Sequence, residues 1–297
     1  MAGTLATAAQ YLNRLLPFGW RLVNVYSPLA QVARPGPAFA LLSPEAALVT
    51  LHDGHFLYVD PQDDSVSAHL IARGVWEFWV EQAVRGLVRP GDRIVEVGAN
   101  VGYFTVLMAS LIGPTGRITS FEANPLLAEL VRRSLSLNGY LDRVDVRAEA
   151  ASDTIGVLDF VTCRKSNGGG HILQGGGDFG TDTIHVRAPS TTLDEAFPTG
   201  SVDLIRIDAE GAEPLVFRGA RGLIARSPNL RICMEWDVVQ MGARVPIPEL
   251  IALFQEEGFR FWRIKKDFGL EEVKPGDLAA LPHSDLVLSR QAPPLRS

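Results

Sequence analysis

The chain of 297 residues carries a formal net charge of −6, which argues against a nucleic-acid partner, because polyanions are bound by clustered Lys and Arg. Hydrophobic residues make up 46% of the sequence and charged residues 21%, an ordinary composition for a globular protein that argues against global disorder. The two cysteines, Cys163 and Cys233, lack metal-ligand spacing and predict buried thiols in a reducing, cytoplasmic compartment.

The first 74 residues are predicted to form a helix followed by a β-rich extension. Apolar residues recur at helical spacing from Leu5 to Leu16. We expect this face to pack on the domain or on a second subunit, as in a homodimer, with a membrane surface as the alternative. No apolar stretch approaches the ~18 residues of a membrane span, and the start lacks the features of a signal peptide. Asp53 and Gly54 join two alternating apolar runs, which predicts a hairpin turn.

A single α/β domain is predicted from residue 75 to residue 297. From Arg93 onward, short apolar strands alternate with amphipathic helices, a pattern typical of a parallel sheet covered on both faces. One helix is bracketed by Asn124 as the N-cap, Pro125 as the first residue and Gly139 after its end. The predicted strands are, in chain order, "RIVEV", "RITSFE", "VDVRAEA", "VDLIRID", "LRICMEW", "RFWRI" and "DLVLS". These seven strands predict a Rossmann-like, doubly wound, mostly parallel sheet.

A glycine-rich insertion interrupts this alternation between residues 153 and 201. Strand-like segments flank "SNGGGHILQGGGDFG", which predicts a loop that is either disordered or a lid that orders over a substrate. His171 is the one side chain of this loop that titrates near neutrality. It is therefore a candidate general base, with a solvated loop histidine as the alternative.

The most specific stretch is "IVEVGANVGYFT", residues 94–105, where a strand runs into a glycine-bearing turn and then a helix. In open parallel sheets, ligands bind at the carboxyl ends of the strands near such a turn. We expect Gly98 to let the backbone approach a ligand and Gly102 to let the helix pack closely. Asn100 stands where the dinucleotide fingerprint requires a glycine, so S-adenosylmethionine, which has no pyrophosphate, fits better than NAD.

Glu122 ends the next predicted strand, where an acid accepts hydrogen bonds from ribose hydroxyls. NAD enzymes also use an acid there, so this residue alone does not decide the cofactor, and an exposed Glu beside a packing turn is the structural alternative. The sequence lacks a Tyr–Lys dehydrogenase pair, a GxxxxGK[ST] phosphate loop and a GxSxG nucleophile elbow. The fourth strand ends in "RIDAEGAEP" rather than in the Asn/Asp-Pro-Pro-aromatic motif of enzymes that methylate base amino groups.

Taken together, "GVWEFW", "VEVGANVGYFT", "SFEANP", "AASDTIG" and "LIRIDAEGAEPLVFRGA" resemble the FkbM-type family of S-adenosylmethionine-dependent methyltransferases. The resemblance covers residues 75–236. It implies a class I methyltransferase fold with a seven-stranded sheet, S-adenosylmethionine as cofactor and S-adenosylhomocysteine as product. It also implies O-methylation of a hydroxyl on a sugar, glycan or secondary metabolite.

The resemblance also implies a set of cofactor-binding residues. The first motif would hold the cofactor, Glu122 its ribose, the residues after Glu122 and the end of the third strand its adenine, and Asp208 its methionine end. The implied set is Glu96, Gly98, Ala99, Asn100, Gly102, Tyr103, Phe104, Glu122, Ala123, Asn124, Glu149, Ala150 and Asp208.

Acids gather at the predicted carboxyl edge of the sheet. In chain order they are Asp208, Glu210, Glu213, Glu235 and Asp237. A neutral hydroxyl is a poor nucleophile, and a positioned base contributes ~10²–10⁴-fold to its reaction. Asp208 and Glu210 therefore join His171 as candidate catalytic residues, with capping of a helix N-terminus as the alternative for the acids. Asp208 and Glu210 would also suit Mg²⁺, but no third ligand is evident and no metal is predicted.

Aromatic side chains are candidates for the acceptor side of the site. Trp76, Trp79, Tyr103 and Trp236 would offer flat apolar faces to a sugar ring, with core packing as the alternative for at least two of them. Two other functions remain open from the sequence. One is methylation of a carboxylate or amine, and the other is a nucleoside-binding domain without catalysis.

Overall fold

The computed structural model describes residues 38–163, 166–172 and 183–293. The predicted N-terminal helix and the first part of the predicted β-rich extension lie outside these described residues.

The main sheet has eight strands. It contains β4 (Arg93–Val97), β5 (Arg117–Phe121), β6 (Val144–Arg147), β11 (Leu204–Ile207), β12 (Arg231–Trp236), β13 (Arg260–Ile264), β14 (Leu270–Val273) and β15 (Ser284–Ser289). Their order is β14-β13-β15-β12-β11-β4-β5-β6. The five neighbouring strands β6, β5, β4, β11 and β12 are parallel to one another, whereas β15 is antiparallel to both of its neighbours, β12 and β13. The predicted doubly wound α/β fold is confirmed.

One edge strand was not predicted from the sequence. β14 pairs antiparallel with β13. Glu271 and Glu272 in its centre are exposed and form ion pairs with Arg263 and Arg260 of β13. Two consecutive acids break the apolar alternation that marks a strand, so only the pairing with β13 reveals β14.

Helices cover both faces of the main sheet. They are α1 (Val66–Arg73), α2 (Phe78–Leu87), α3 (Tyr103–Leu111), α4 (Pro125–Asn138), α5 (Leu193–Ala196), α6 (Glu213–Arg218), α7 (Arg221–Ala225), α8 (Val238–Gly242) and α9 (Ile247–Glu256), with a 3₁₀ helix at Pro275–Ala280. The predicted ends of α4 are confirmed, because Asn124 accepts from the N–H of Leu126 at 3.0 Å and Gly139 takes φ 75°. Within the described residues, no helix has the length and apolar character needed to cross a membrane.

A small antiparallel sheet precedes the main one. It consists of β1 (Phe39–Ser43), β2 (Ala46–Thr50) and β3 (Phe56–Val59), in that order. The predicted hairpin is confirmed, because β2 and β3 pair across the turn that contains Gly54, whose φ is 94°. The inner face of the sheet shares its apolar core with α4, and the N–H of Tyr58 donates to Ser134 Oγ at 2.9 Å. The β-rich extension therefore packs directly on the α/β layer.

The insertion forms a second sheet together with a two-residue strand that precedes it. Its strands are β7 (Ala150–Ala151), β8 (Gly156–Cys163), β9 (Ser166–Ile172) and β10 (Thr183–Thr191), in the order β7-β10-β8-β9. The prediction of a loop is therefore wrong for Ser166–Ile172, while residues 173–182 lie outside the described part. β9 pairs with β8, which places His171 opposite Val161. A strand is recognised in a sequence by alternating apolar and polar side chains, which a run of glycines lacks. This strand is therefore defined by its backbone pairing and not by a sequence pattern.

A buried acid joins the small sheet to the helices beneath it. Glu81 on α2 is fully buried and accepts from His52 Nε2 at 2.9 Å, from Arg85 Nε at 2.6 Å and from the hydroxyl of Tyr103. A buried charge costs little only while its partners are in place. This network therefore holds the turn after β2, α2 and the start of α3 together.

We expect Glu81→Ala to lower the free energy of unfolding by about 1–3 kcal/mol, because the substitution removes the buried acceptor of the Tyr103 hydroxyl, while Arg85 keeps its ion pair with Asp53. Urea unfolding measures this change. The matched control is Glu129→Ala, which removes a largely exposed carboxylate 3.7 Å from Arg132 and should cost less than about 1 kcal/mol. Equal losses in the two variants would contradict a structural role for the Glu81 network.

Candidate active site

The carboxyl ends of β4, β5, β11 and β12 surround a cavity of about 330 Å³. One side, called the turn wall below, contains residues 98–101 with Tyr103 and Phe104, residues 122–124 and residues 149–151. A second group of lining residues, called the acidic wall below, consists of Glu77, Asp208, Glu210, Glu235 and His283. The predicted site residues on these two walls are Gly98, Ala99, Asn100, Tyr103, Phe104, Glu122, Ala123, Asn124, Glu149, Ala150, Asp208 and Glu210.

Gly98 is required by backbone packing between two strands. It has φ 81°, and a Cβ built on it would lie 1.8 Å from the carbonyl oxygen of Asp208. No side chain fits there, because the end of β4 meets the end of β11 at this point. The structure therefore gives this glycine a packing role against Asp208, and its predicted role in the approach of a ligand stays a prediction.

Glu122 ties the turn after β4 to the end of β5. It is buried, and its carboxylate accepts from the N–H groups of Asn100 and Asn124 at 2.7 and 2.8 Å. Burial raises the pKa of Glu122 to about 7, against the opposing effect of these hydrogen bonds. Asn100 has φ 51°, a left-handed conformation that Asn tolerates, and its side chain accepts from the N–H of Val101 at 2.8 Å. Glu122 is therefore a buried, hydrogen-bonded part of the turn wall and not an exposed acid.

Two predicted cofactor residues lie behind the turn wall rather than on it. Glu96 is fully buried and accepts from Thr105 Oγ1 at 2.5 Å and from the hydroxyl of Ser120. Gly102, with φ 89°, allows α3 to pack on α4, because a Cβ there would lie 3.0 Å from Val131 Cγ2. Neither residue lines the cavity. The family resemblance implied cofactor contact for both residues, but Glu96 is buried in the core and Gly102 provides the close helix packing that the sequence predicted.

Arg206 is a cavity residue that the sequence analysis missed. It lies inside β11, is buried, and places Nη2 3.0 Å from Asp208 Oδ2 and Nη1 3.9 Å from Glu96 Oε1. Its guanidinium stacks 4.0 Å above the ring of Phe104. Burial opposes the charged form, but Asp208 and Glu96 raise the pKa of Arg206 above its ordinary value. The one available signal is a charged residue within the apolar "LIRI" of the strand.

Three acids of the acidic wall hold protons more strongly than usual. The pKa of Glu77 is raised to about 8 by burial and by the charges of Asp285 and Asp208. Burial and Asp208 likewise raise the pKa of Glu210 to about 8 and that of Glu235 to about 10. Like charges near one another in a buried site favour the neutral form. The wall therefore contains more carboxyl groups than it can ionise at neutral pH.

Backbone geometry also marks two of these acids. Glu77 and Glu210 adopt φ 41° and 50°, in the left-handed region that non-glycine residues rarely occupy. Such conformations cost of order 1–3 kcal/mol each and persist where the surrounding structure enforces them, often at functional sites. Glu77, from the start of α2, was not predicted as a site residue, since it lies far from the strand ends in the sequence.

Backbone hydrogen bonds explain the remaining acids of the predicted cluster. Glu213 is buried and accepts from the N–H of Ala209 at 2.8 Å, in the turn before α6. Asp237 is the N-cap of α8 and accepts from the N–H groups of Val239 and Gln240. Glu213 therefore fixes the turn after β11, and Asp237 stabilises the start of α8. Asp208 and Glu210, by contrast, face the cavity.

His283 was also missed from the sequence. It precedes β15, and its Nε2 lies 2.7 Å from Glu235 Oε1 at the end of β12. Antiparallel pairing of β15 with β12 brings His283 to the cavity, and no local sequence pattern indicates this position.

The side chain of His171 lies outside the described residues, so its role as a base remains a prediction.

The candidate aromatic residues divide between cavity and core. Trp76 and Tyr103 line the cavity. Trp236 is fully buried in the core and donates from Nε1 to the carbonyl of Leu278 at 3.1 Å, so the core-packing alternative holds for it. Trp79 donates to Asp285 Oδ2 at 2.9 Å, behind the acidic wall. Across the described parts of the chain, no group of three or more His, Cys, Asp or Glu side chains is arranged to hold a metal ion.

Comparison with known proteins shows a family match over more than half of the chain. The family model described as "Methyltransferase FkbM domain" matches residues 96–261. These residues include the carboxyl ends of β4, β5, β11 and β12, which surround the cavity.

Individual relatives are more distant. Protein-L-isoaspartate O-methyltransferase of Aeropyrum pernix is 41% identical over 58 residues, 20% of this chain and 22% of that protein. The chain thus spans about a quarter of the length of the curated isoaspartate methyltransferases it matches first. Methyltransferase sdnD of Sordaria araneosa is 24% identical over 208 residues, 60% of this chain and 78% of that protein. Among solved structures, the O-methyltransferase from Bacillus cereus in complex with SAH is 18% identical, with a TM-score of 0.43, covering 75% of this chain and 84% of that one.

We expect Gly98→Ala to lose more stability than Gly113→Ala, and to lose binding of S-adenosylhomocysteine. Both glycines have positive φ, 81° and 68°, but only Gly98 has a close neighbour, whereas nothing lies within 4 Å of a Cβ at Gly113. The left-handed backbone strain common to both variants costs about 1–2 kcal/mol of folding stability. The additional loss of stability at Gly98 measures the cost of pushing β4 away from β11. Urea unfolding and calorimetric titration measure the two effects. The same loss in both variants would contradict the packing role of Gly98.

Proposed function

The chain belongs to the FkbM family of S-adenosylmethionine-dependent methyltransferases, and we propose that it methylates a hydroxyl on a sugar, glycan or secondary metabolite. The observation that supports this proposal is one cavity in which a nucleoside-compatible turn faces carboxyl groups with raised pKa values. The turn wall would bind the cofactor, and the acidic wall would receive the acceptor.

The residues of the turn wall suit the cofactor. Glu122 would hold the ribose hydroxyls, and residues 123–124 together with Glu149 and Ala150 would border the adenine. Asp208 would face the methionine end. Asn100 in place of a fingerprint glycine disfavours a pyrophosphate, which supports S-adenosylmethionine over a dinucleotide.

S-adenosylmethionine would supply an electrophilic methyl group on its sulfonium. The protein would orient the acceptor hydroxyl toward it and accept the proton that the hydroxyl loses. Glu210 is the favoured base, because it faces the cavity and its pKa of about 8 lies near working pH. Asp208 is held at 3.0 Å by Arg206, which makes its carboxylate a poorer proton acceptor and a better positioning group. His171 remains the alternative base.

The acidic wall argues against a carboxylate acceptor. A carboxylate acceptor would add a negative charge to a cavity side where burial and neighbouring carboxylates already raise the pKa values of Glu77, Glu210 and Glu235. We further propose a homodimer through the N-terminal segment and a cytoplasmic location. The buried free thiol of Cys233 is consistent with a reducing compartment.

The cofactor proposal is tested by calorimetric titration with S-adenosylmethionine, S-adenosylhomocysteine and NAD. We expect both sulfur compounds to bind and NAD to bind more weakly. Glu122→Gln should weaken binding of S-adenosylhomocysteine by roughly 1–3 kcal/mol, because an amide cannot accept from the ribose and the two turn N–H groups as a carboxylate does. Glu129→Gln, which changes an exposed acid, is the control. Tighter binding of NAD than of S-adenosylhomocysteine would overturn the cofactor assignment.

The catalytic proposal is tested with an acceptor found by screening metabolites and glycans with labelled S-adenosylmethionine. A base works in its deprotonated form, so turnover should rise as pH increases through about 8, the pKa of Glu210. Glu210→Gln should lower turnover ~10²–10⁴-fold and remove this rise, while binding of S-adenosylhomocysteine stays unchanged. Full activity in the variant would move the base to Asp208 or His171. Cofactor binding without transfer to any fraction would identify a nucleoside-binding domain instead.

A further inference from the structure

The start of α3 belongs to the turn wall but has no capping side chain. Tyr103 and Phe104 begin this helix, and both line the cavity. Gly102 precedes them in a left-handed conformation and has no side chain that could cap the helix. The position of the first turn of α3, beside the glycine-bearing turn after β4, therefore depends on the contacts of Tyr103 and Phe104.

Two charged side chains supply these contacts. The guanidinium of Arg206 stacks 4.0 Å from the centre of the Phe104 ring. The hydroxyl of Tyr103 donates to the carboxylate of Glu81 on α2. Burial and this hydrogen bond raise the pKa of Tyr103, so its hydroxyl keeps the proton and remains a donor at working pH. The first turn of α3 is therefore held from the side of β11 and from the side of α2.

The Tyr103 hydroxyl also lies beside the segment that leads into α2. The backbone of Trp76 is close enough to stabilise the hydroxyl oxygen, against the effect of burial on the pKa of Tyr103. Trp76 and Glu77 line the same cavity. The hydroxyl of the buried Tyr103 is thus engaged with protein groups, and it is placed to position the cavity wall rather than to bind a ligand.

Glu81 is itself fixed by several donors. It is fully buried and accepts from Arg85 Nε at 2.6 Å and from His52 Nε2 at 2.9 Å. Arg85 pairs in turn with Asp53 at 2.9 Å, in the turn between β2 and β3. A fully hydrogen-bonded buried network of this kind is rigid. The position of Tyr103 therefore follows that of Glu81, and the small sheet is connected to the turn wall through this one carboxylate.

We propose that Glu81 is a positioning residue of the cofactor site, which acts through the Tyr103 hydroxyl to hold the first turn of α3 where the cofactor binds. This inference rests on the proposed function, since it takes the turn wall as the binding surface for S-adenosylmethionine. Glu81 does not line the cavity and lies outside residues 96–261, which the family model matches. The helix before the α/β sheet thereby contributes to cofactor affinity through Tyr103.

The test removes one hydroxyl at a time and measures the dissociation constant of S-adenosylhomocysteine by calorimetric titration of the full-length protein. Tyr103→Phe keeps the ring but loses the hydrogen bond to Glu81, and we expect the affinity to fall about fivefold, within the range that one hydrogen bond to a charged group provides. The matched control is Tyr140→Phe, which removes a half-buried hydroxyl 2.8 Å from His55 Nε2, beside the same β2–β3 turn. Its affinity should stay within about twofold of the unsubstituted protein.

Substitutions of Glu81 separate positioning from stability. Glu81→Ala removes the acceptor and should weaken binding about as much as Tyr103→Phe, whereas Glu81→Gln should restore most of the affinity, because an amide still hydrogen-bonds to a hydroxyl. The double variant Glu81→Ala/Tyr103→Phe should bind no more weakly than either single variant, since both substitutions break the same hydrogen bond. Melting temperatures are measured throughout, because a merely structural hydrogen bond would lower them and leave the dissociation constant of the folded protein unchanged.

Two results would overturn the inference. One is unchanged affinity for S-adenosylhomocysteine in Tyr103→Phe, and the other is an equal loss of affinity in Tyr140→Phe. Failure of the proposed function is a different result, since the unsubstituted protein would then not bind S-adenosylhomocysteine, and the inference would fall with it.

Discussion

The buried guanidinium of Arg206 joins the parts of the cavity. It pairs with Asp208 at the end of β11, stacks on Phe104 at the start of α3 and approaches the carbonyl oxygen of Gly98 at 3.4 Å. Removing one partner of a buried ion pair typically costs about 3–5 kcal/mol. Strand β11, the turn after β4 and helix α3 therefore behave as one unit, and the absence of a side chain on Gly98 is what allows the two strand ends to meet.

The electrostatics of the cavity follow from this pairing. Because Asp208 and Glu96 engage Arg206, the arginine only partly offsets burial and the neighbouring carboxylates at Glu77. Burial and mutual repulsion then raise the pKa values of Glu77 and Glu210 to about 8. Both residues also hold left-handed backbone conformations. Strain and unfavourable charge at the same two positions are typical of a site shaped for a ligand rather than for stability.

Local patterns in the sequence were sufficient for the parallel part of the sheet and for the segments of the turn wall. Asn124, Pro125 and Gly139 mark a helix because capping depends on neighbouring backbone groups alone. The strands of the parallel sheet are apolar runs because both of their faces are buried. Acids at strand ends, such as Glu122 and Glu210, were identifiable because parallel strands bring their carboxyl ends to one edge of the sheet.

The sequence by itself thus determined the α/β class, the ends of the best-capped helix, the strands of the parallel sheet and the glycine-bearing turn after β4. Only the tertiary structure decided which side chains face the cavity. Glu77 and His283 reach it from the start of α2 and from the segment before β15, which lie far apart in the chain. In the sequence, Arg206 belongs to a segment with the pattern of a core strand, and Gly98 belongs to a turn typical of ligand binding. Their contacts with Asp208 become evident only from the packing of β4 on β11. The physical reason is that burial, charge pairing and close backbone contact depend on distances between segments, which no local pattern contains.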